Sequence, residues 1–299
     1  MVALDFSYLD EALIRYTNSL CRLLRPEVLY FVHVYKDLED IDGPLPTREN
    51  YNIPPDELLV RQMQEATAQL LSPDCATNIH FEVKEGQPTE ELLRWSRIKQ
   101  IDLFVFGLKM ARGGSGIGPQ RVAMLSDCSV LLVPEMAPAQ LNTILLPVDF
   151  SKFSQQVVLS ALALQQQIPG AKLLLQHVYE VPIGYYKTGK TFDQFAEIMR
   201  FNATKAYYQF CRELNIPQEQ LPCRFVLNPD GNIQEGIMES IREVQPSLLL
   251  IGSQGRTAVS SFFIGSVAEK LIRLNPKIPT LVLKRKGSNM GLLDALFPN

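Results

Sequence analysis

The chain has 299 residues, of which 46% are hydrophobic and 20% are charged, the composition of an ordinary globular protein. Its net charge of −3, with both signs interspersed and no basic run, argues against nucleic acid and an anionic membrane as partners. We expect a cytoplasmic protein, because the sequence shows neither a cationic start before an apolar stretch nor an apolar run of transmembrane length.

The first half of the chain alternates short apolar runs with helical patterns, as parallel β-α-β units do. A stretch rich in Pro and charge, residues 36–56, predicts an irregular loop beyond the second strand. The first strand looks short, either because the native chain starts earlier or because this strand is truncated. The predicted strands are Val2–Asp5, Val28–His33, Ile79–Val83, Leu103–Phe106 and Val130–Val133.

The second half repeats this alternation after a bridge over residues 134–142. Thr143–Val148 is a continuous apolar run, which is typical of a parallel strand buried on both faces. A helix is predicted over Ser151–Gln167, and Pro169-Gly170 ends it. The other predicted elements are strands Lys172–Val178, Cys223–Leu227, Ser247–Ile251 and Thr280–Leu283, and helices Phe192–Leu214, Ile233–Val244 and Ser266–Leu274.

The two halves are copies of one domain. VALDFS recurs as LPVDFS, so that Asp5 corresponds to Asp149, and each aspartate precedes a histidine, His33 or His177, by 28 residues. The offset is 144 residues there and 145 residues at the glycine after the fourth strand. We therefore predict two tandem doubly wound five-stranded parallel α/β sheets, over residues 1–138 and 139–286, with a C-terminal tail over 287–299.

Cysteine and histidine patterns indicate neither a metal site nor a catalytic nucleophile. The five cysteines are far apart and form no CxxC, so we expect free, buried thiols in a reducing compartment. His33 and His177 end apolar strands, and we interpret both as packed, hydrogen-bonded side chains because a degenerate copy keeps its histidine too. No HExxH or paired CxxC spacing is present, so no zinc site is expected.

A glycine-flanked loop follows the fourth strand of the second copy, with the spacing Gly252-x2-Gly255-x9-Gly265-Ser266. Gly252 ends a buried strand, where ligands bind in doubly wound sheets, and a glycine there allows close approach and φ > 0. Gly265-Ser266 opens a helix, whose amide groups and partial positive charge suit phosphate. Ser266 adds a hydroxyl donor and Arg256 a positive charge. The alternative is a tight turn with glycines for packing only.

Asp149 follows the first strand of the second copy and lies at the same sheet edge. It could contribute to a helix cap near Ser151 or contact a ligand, and position alone does not decide between the two. The loop lacks the GK[ST] sequence of a P-loop, and the chain has no nucleophile-elbow GxSxG context. Strong ATPase activity is therefore not expected.

These motifs resemble those of the universal stress protein family. Its P-[TV]-D-F-S motif appears as Pro147–Ser151, its HV strand end as His177-Val178, and its loop followed by V-A-E-K as Gly252–Lys270. The resemblance covers nearly the whole chain, with one copy of the domain in each half. It implies a Rossmann-like fold of the adenine nucleotide alpha hydrolase type. It also implies ATP as the ligand of the second copy, with or without Mg²⁺.

The resemblance assigns residues to the parts of the nucleotide. By match, Asp149 and the backbone around Val178 hold the adenosine, and the glycine loop wraps the ribose and phosphates. It further implies pairing of the copies as an intrachain pseudo-dimer through Val130–Val133 and Thr280–Leu283, with a homodimer of the chain left open. The implied cofactor-binding residues are Pro147, Val148, Asp149, Val178, Ile251, Gly252, Gln254, Gly255, Arg256, Gly265, Ser266 and Val267.

The first copy departs from the motif. Met110 stands at the position of Gly255, and Gln120-Arg121 stand where the second copy has Gly265-Ser266. We expect this copy to bind ATP poorly or not at all, although Asp5 is retained. The glycine-rich run over residues 113–118 is either an anion nest or, as we favour, a flexible loop.

Three hypotheses for function follow. The leading one is a nucleotide-dependent regulatory or sensing module in a stress response, whose ATP-bound arrangement is read by unidentified partner proteins. The second is a slow ATP hydrolase or self-phosphorylating protein. The third is a scaffold that binds no nucleotide. The candidate phosphate acceptors of the second hypothesis are Ser253, Thr257, Ser260 and Ser261.

Overall fold

The computed structural model describes residues 1–36, 54–76, 78–109, 118–138, 140–229, 231–254, 264–274 and 277–284. The chain divides into two units, residues 1–139 with 284–299 and residues 140–283. The loop expected over residues 36–56 and the tail over 287–299 fall almost entirely outside the described residues.

The first unit alternates strands and helices in the predicted order. Its second, third and fourth strands extend beyond the predicted ends, while its first strand has only two residues. The strands are β1 (Val2–Ala3), β2 (Val28–Tyr35), β3 (Asn78–Glu85), β4 (Leu103–Leu108) and β5 (Ser129–Pro134). The helices are α1 (Leu9–Leu24), α2 (Pro55–Ala68), α3 (Pro88–Ile98) and α4 (Pro119–Leu125).

The second unit has the same plan, and three of its helices have the predicted ends. A short 3₁₀ turn over Tyr185–Thr188 precedes its long helix, and a second follows it at Gln218–Gln220. The strands are β6 (Thr143–Pro147), β7 (Lys172–Tyr179), β8 (Cys223–Leu227), β9 (Leu248–Gly252) and β10 (Thr280–Leu283). The helices are α5 (Lys152–Gln166), α6 (Phe192–Leu214), α7 (Ile233–Val244) and α8 (Ser266–Leu274).

Strand order is the same in the two units. It is β3-β2-β1-β4-β5 in the first unit and β8-β7-β6-β9-β10 in the second, with parallel neighbours throughout. In each unit the chain builds outward in one direction over three strands and then reverses. The predicted fold, two tandem doubly wound five-stranded parallel sheets, is confirmed.

Burial explains why the central strands are continuous apolar runs. In the second unit, β10 and the first four residues of β9 are buried, as are the three central residues of β6. Helices cover both faces of a parallel sheet, so its strands have no solvent side for polar residues to occupy. The side chain of Gln176 is an exception: it is 1% exposed and its Nε2 donates to the Gly236 carbonyl, 2.9 Å away.

Local capping fixes the ends of the helices of the second unit. Ser151 caps α5 by accepting from the Ser154 amide at 3.2 Å. Thr191 and Gln194 form a capping box at the start of α6, which ends at Asn215 in the left-handed conformation. None of the helices that the structure describes is long and apolar enough to cross a membrane.

A disulfide joins Cys21 of α1 to Cys75, which precedes β3, and both side chains are buried. The expectation of free thiols is therefore wrong for these two residues. Cys128, Cys211 and Cys223 are free, as predicted, but only the first two are buried, whereas Cys223 is half-buried. The two cysteines are 54 residues apart in sequence, and no spacing motif predicts that they form a disulfide.

Candidate functional site

Each unit has one point at which the strand order reverses. In the second unit this point lies between β6 and β9, which are neighbours in the sheet although the strands β7 and β8 lie between them in the chain. In the first unit it lies between β1 and β4. Doubly wound sheets bind ligands in the crevice outside the carboxyl ends of the strands at such a point. The segments that follow β6 and β9 are therefore the candidate site.

Asp149 lies at this crevice and is held in place by its own turn. Its Oδ1 accepts from the Ser154 hydroxyl at 2.6 Å and from the Ser151 amide at 3.0 Å. Its amide donates to the Ser154 hydroxyl at 3.2 Å. The helix cap is Ser151 itself, and Asp149 supports this turn through its hydrogen bonds to Ser151 and Ser154. A contact of Asp149 with a ligand stays a prediction.

A phenylalanine and a histidine support the turn. Phe150 has a φ of 60°, and its ring centroid lies 4.4 Å from that of His177. The Nδ1 atom of His177 lies 2.8 Å from the Val148 carbonyl oxygen. The first unit repeats the arrangement, with Phe6 at a φ of 56° and 4.6 Å from His33. Both histidines are thus packed and hydrogen-bonded, as predicted. Sequence reasoning missed the phenylalanines, although the repeated D-F-S was their signal.

Gly252 is required by packing. A Cβ atom at this position would lie 2.7 Å from Cε1 and 2.9 Å from Cδ1 of Phe153, and 3.1 Å from a methyl group of Val157. Gly252 is not among the glycines with positive φ, so it does not use the left-handed conformation that a glycine allows. Packing against the Phe153 side chain of α5 therefore accounts for a glycine at this position, and a role in ligand binding stays a prediction.

We expect Gly252→Ala to lower the unfolding free energy of the second unit by about 1–3 kcal/mol, because the new methyl group overlaps the ring of Phe153. Gly107→Ala is the matched control in the first unit. There the added Cβ would lie 3.6 Å from its nearest neighbours on Leu9, an ordinary contact, so stability should change by less than about 0.5 kcal/mol. Urea unfolding measures both variants. Equal losses in the two would contradict the packing assignment.

The base of the glycine loop is closed by backbone hydrogen bonds. The Gly265 amide donates to the Ser253 carbonyl at 2.6 Å, and the Ser253 amide donates to the Leu283 carbonyl at 2.8 Å. The loop therefore leaves and returns at one place, beside the end of β9. Ser253 is 3% exposed, which leaves its hydroxyl enclosed, whereas Ser266 is exposed at the start of α8. Gly255, Arg256, Thr257, Ser260 and Ser261 lie outside the described residues.

The other predicted site residues at the carboxyl edge of the sheet differ in how deeply their side chains are buried. Val148 and Ile251 are buried, so their side chains belong to the core. Val178 packs against α7, since a Cβ added to Gly236 would lie 3.4 Å from both of its methyl groups. A contact of these three residues with a ligand, which stays a prediction, would therefore involve their backbone rather than their side chains. Half-buried residues at the edge are Pro147, Asp149, Gly252, Gln254, Gly265 and Val267.

The equivalent edge of the first unit carries charged groups. The ammonium of Lys109, one residue beyond β4, lies 2.7 Å from Oδ2 of Asp5. Asp10 accepts from the Phe6 amide at 2.8 Å and from the Asp5 amide at 3.3 Å. Burial alone would raise the pKa of Asp5, but hydrogen bonds from Lys109 and Ser7 and the charge of Lys109 hold it below its ordinary value. None of this was predicted from the sequence.

Burial and the negative charge of Asp5 raise the pKa of Asp10 to about 7, against the hydrogen bonds from the two amides. An unfolded aspartate titrates near pH 4. The folded first unit therefore binds this proton more tightly than the unfolded chain, and the Asp10 contribution to stability falls as pH rises from about 4 to 7. Asp10→Ser should remove this dependence.

Urea unfolding of the wild type and of Asp10→Ser at pH 5 and pH 8 checks this expectation. Other groups titrate in the same range, so the measure is the difference between the two proteins rather than the slope of either. An identical change of unfolding free energy with pH in both proteins would show that Asp10 does not titrate there. Asp5 acts in a lower window, because its depressed pKa gives stability that is lost only below about pH 4.

Helix α4 of the first unit differs from α8 at its start. It begins at Pro119, which has no amide hydrogen, so one donor of the helix N-terminus is missing. Gln120 and Arg121 lie inside this helix, whereas Gly265 precedes α8. Met110 and residues 113–117 are outside the described residues. Among the described residues of the chain, no group of three or more His, Cys, Asp and Glu side chains is placed to hold a metal ion.

These features define a doubly wound α/β protein with polar side chains at the switch point of each unit. Residues 140–284 match the model of the Universal stress protein family. A curated relative from Thermus aquaticus, the universal stress protein in the QAH/OAS sulfhydrylase 3' region, is 28% identical over 143 residues. The match covers 48% of this chain and 98% of the relative.

Solved structures match along almost the full length. A putative universal stress protein from Pseudomonas aeruginosa UCBPP-PA14 has a TM-score of 0.60 at 14% identity, covering 99% of this chain and 94% of its own. A universal stress protein from Archaeoglobus fulgidus DSM 4304 has a TM-score of 0.57 at 18% identity, covering 97% of each chain. The fold thus extends through both units. The match to the Universal stress protein family model covers the second unit, and both units share the fold of these solved structures.

Proposed function

We propose that the second unit binds ATP in the crevice between β6 and β9, and that the protein is a nucleotide-dependent regulatory module in a stress response. The observation that carries this proposal is the convergence of two elements on the switch point. Asp149 is fixed at the end of β6, and the glycine loop, closed by the bond from Gly265 to Ser253, begins at the end of β9.

The crevice offers a separate partner for each part of the nucleotide. The Asp149 carboxylate accepts hydrogen bonds from ribose hydroxyls, the role that an acidic residue has in dinucleotide-binding sheets. The backbone at Val178, on the neighbouring strand β7, borders the adenine. The first amides of α8 and the exposed Ser266 hydroxyl donate to phosphate oxygens.

The first unit supports a single nucleotide per chain. Its α4 begins with Pro119, which has no amide hydrogen, so its N-terminus offers one amide fewer to phosphate than that of α8 does. Its aspartate is engaged by Lys109. An asymmetric pair of this kind suits a sensor in which one unit responds to ATP, and partner proteins read the ATP-bound arrangement of the second unit.

A substitution at the loop base tests this function. We expect Gly265→Val to abolish ATP binding in equilibrium dialysis, because a side chain there stands where a phosphate must approach the amides of α8. Gly265 is not among the residues with positive φ, so valine fits the backbone and thermal unfolding should remain cooperative. Retained ATP binding by this variant would contradict the site. If the wild type does not bind ATP, this proposal is contradicted and the hypothesis of a scaffold that binds no nucleotide replaces it.

A further inference from the structure

An ion pair bridges the switch-point crevice of the first unit. Asp5 lies two residues beyond β1 and Lys109 one residue beyond β4, and these two strands are neighbours. The Lys109 ammonium lies 2.7 Å from the Asp5 carboxylate, and the two side chains are 34% and 38% exposed. The pair thus lies in the place where a doubly wound sheet receives a ligand.

Two differences between the copies occur together at this crevice. Asp10 corresponds to Ser154 by the offset of 144 residues, and Lys109 corresponds to Gln254 by the offset of 145. In the second unit the Ser154 hydroxyl donates to the aspartate at 2.6 Å. Above about pH 7, where Asp10 is ionised, it has no proton to donate and adds a second negative charge beside Asp5. Lys109 adds one positive charge, so the two differences compensate each other.

Hydrogen bonds hold this ion pair in a fixed geometry, unlike an isolated ion pair on a protein surface. Asp5 is restrained by its own turn, because the Ser7 amide donates to its Oδ1 at 3.2 Å while Lys109 takes Oδ2. The Asp5 and Phe6 amides donate to Asp10, which therefore holds the turn that carries Asp5. Both oxygens of the Asp5 carboxylate thus have partners from the chain itself.

We propose that Lys109 is an internal counter-ion that prevents nucleoside binding to the first unit. Its ammonium binds the Asp5 carboxylate in place of the sugar hydroxyls of a nucleoside. Lys109 is then a residue that determines specificity, since it confines nucleoside binding to the second unit. The exclusion of nucleosides rests on the function proposed for that unit, whereas the ion pair itself does not.

Transplanting the lysine into the second unit tests the exclusion. Gln254→Lys is compared with Gln254→Met, which removes the same amide and has a similar length but no charge. The probe is adenosine, because ATP phosphates would attract a new lysine and hide the effect. By calorimetry, we expect the lysine variant to bind adenosine about tenfold or more weakly than the methionine variant, equal to about 1.4 kcal/mol. Equal affinities in the two variants would overturn the proposal.

The ion pair has a test that needs no nucleotide. Carbon-detected NMR titration of the Asp5 carboxyl in the wild type and in Lys109→Met reports its pKa in each. We expect the pKa of Asp5 to rise when the lysine is removed. An unchanged pKa would overturn the inference even if the second unit binds ATP. A raised pKa in a protein that binds no ATP would instead contradict only the proposed function.

Discussion

Asp149→Ala is expected to weaken ATP binding by about tenfold to a hundredfold, since a hydrogen bond to a charged group contributes about 1.5–3 kcal/mol. The carboxylate is held at the switch-point crevice by Ser151 and Ser154, so its loss removes an acceptor that is already oriented. The same bonds support the turn before α5. The variant should therefore also lose about 1 kcal/mol of unfolding free energy.

The chain contains a matched control for this prediction. Asp5→Ala removes the equivalent aspartate of the first unit, where Lys109 already takes the carboxylate. We expect it to leave ATP affinity unchanged in calorimetric titration. Equal losses of ATP affinity in Asp149→Ala and Asp5→Ala would contradict the proposed difference in ATP binding between the two units. Full affinity in Asp149→Ala would remove this residue from the site.

Reduction of the Cys21–Cys75 disulfide is expected to lower the unfolding free energy of the first unit by about 4 kcal/mol. The bond closes a loop with a sequence separation of 54, and the loss of loop-closure entropy in the unfolded chain gives that magnitude. The bond ties the last turn of α1 to the segment before β3. Its loss should therefore loosen elements that lie far apart in sequence.

Hydrogen exchange with and without dithiothreitol measures this effect locally. Amides of α1 and β3 should exchange faster after reduction, while those of the second unit, whose Cys211 and Cys223 are free, serve as the internal control. The double variant Cys21→Ala/Cys75→Ala should reproduce the reduced state. Alkylation of both cysteines in protein that has never been reduced would contradict the bond.

The sequence predicts elements well where local chemistry fixes their ends. The ends of α6 agree with the prediction because a Thr191 capping box starts the helix and Asn215 in the left-handed conformation ends it. Ser151 likewise marks the start of α5. The five-stranded order in each unit follows from the internal repeat and from the rules for parallel sheets. Such features depend on residues that are close in sequence.

Contacts between distant residues were not predictable in the same way. Lys109 meets Asp5 only because the sheet order places β4 beside β1, and no local pattern marks a lysine as the partner of that aspartate. Cys21 and Cys75 are another such pair. The reason is different for Gly252. Its position in the sequence marks it as a residue of the candidate site, but only its distance from the ring of Phe153 shows that packing requires a glycine there.

The central proposal is that the second unit of this tandem α/β protein binds ATP and the first unit does not. Isothermal titration of ATP into the full chain, with and without Mg²⁺, tests it most directly when combined with mass spectrometry of the protein as purified. We expect one ATP per chain, with affinity reduced about tenfold to a hundredfold in Asp149→Ala and unchanged in Asp5→Ala. Two equivalent sites, or no binding and no co-purified nucleotide, would contradict it.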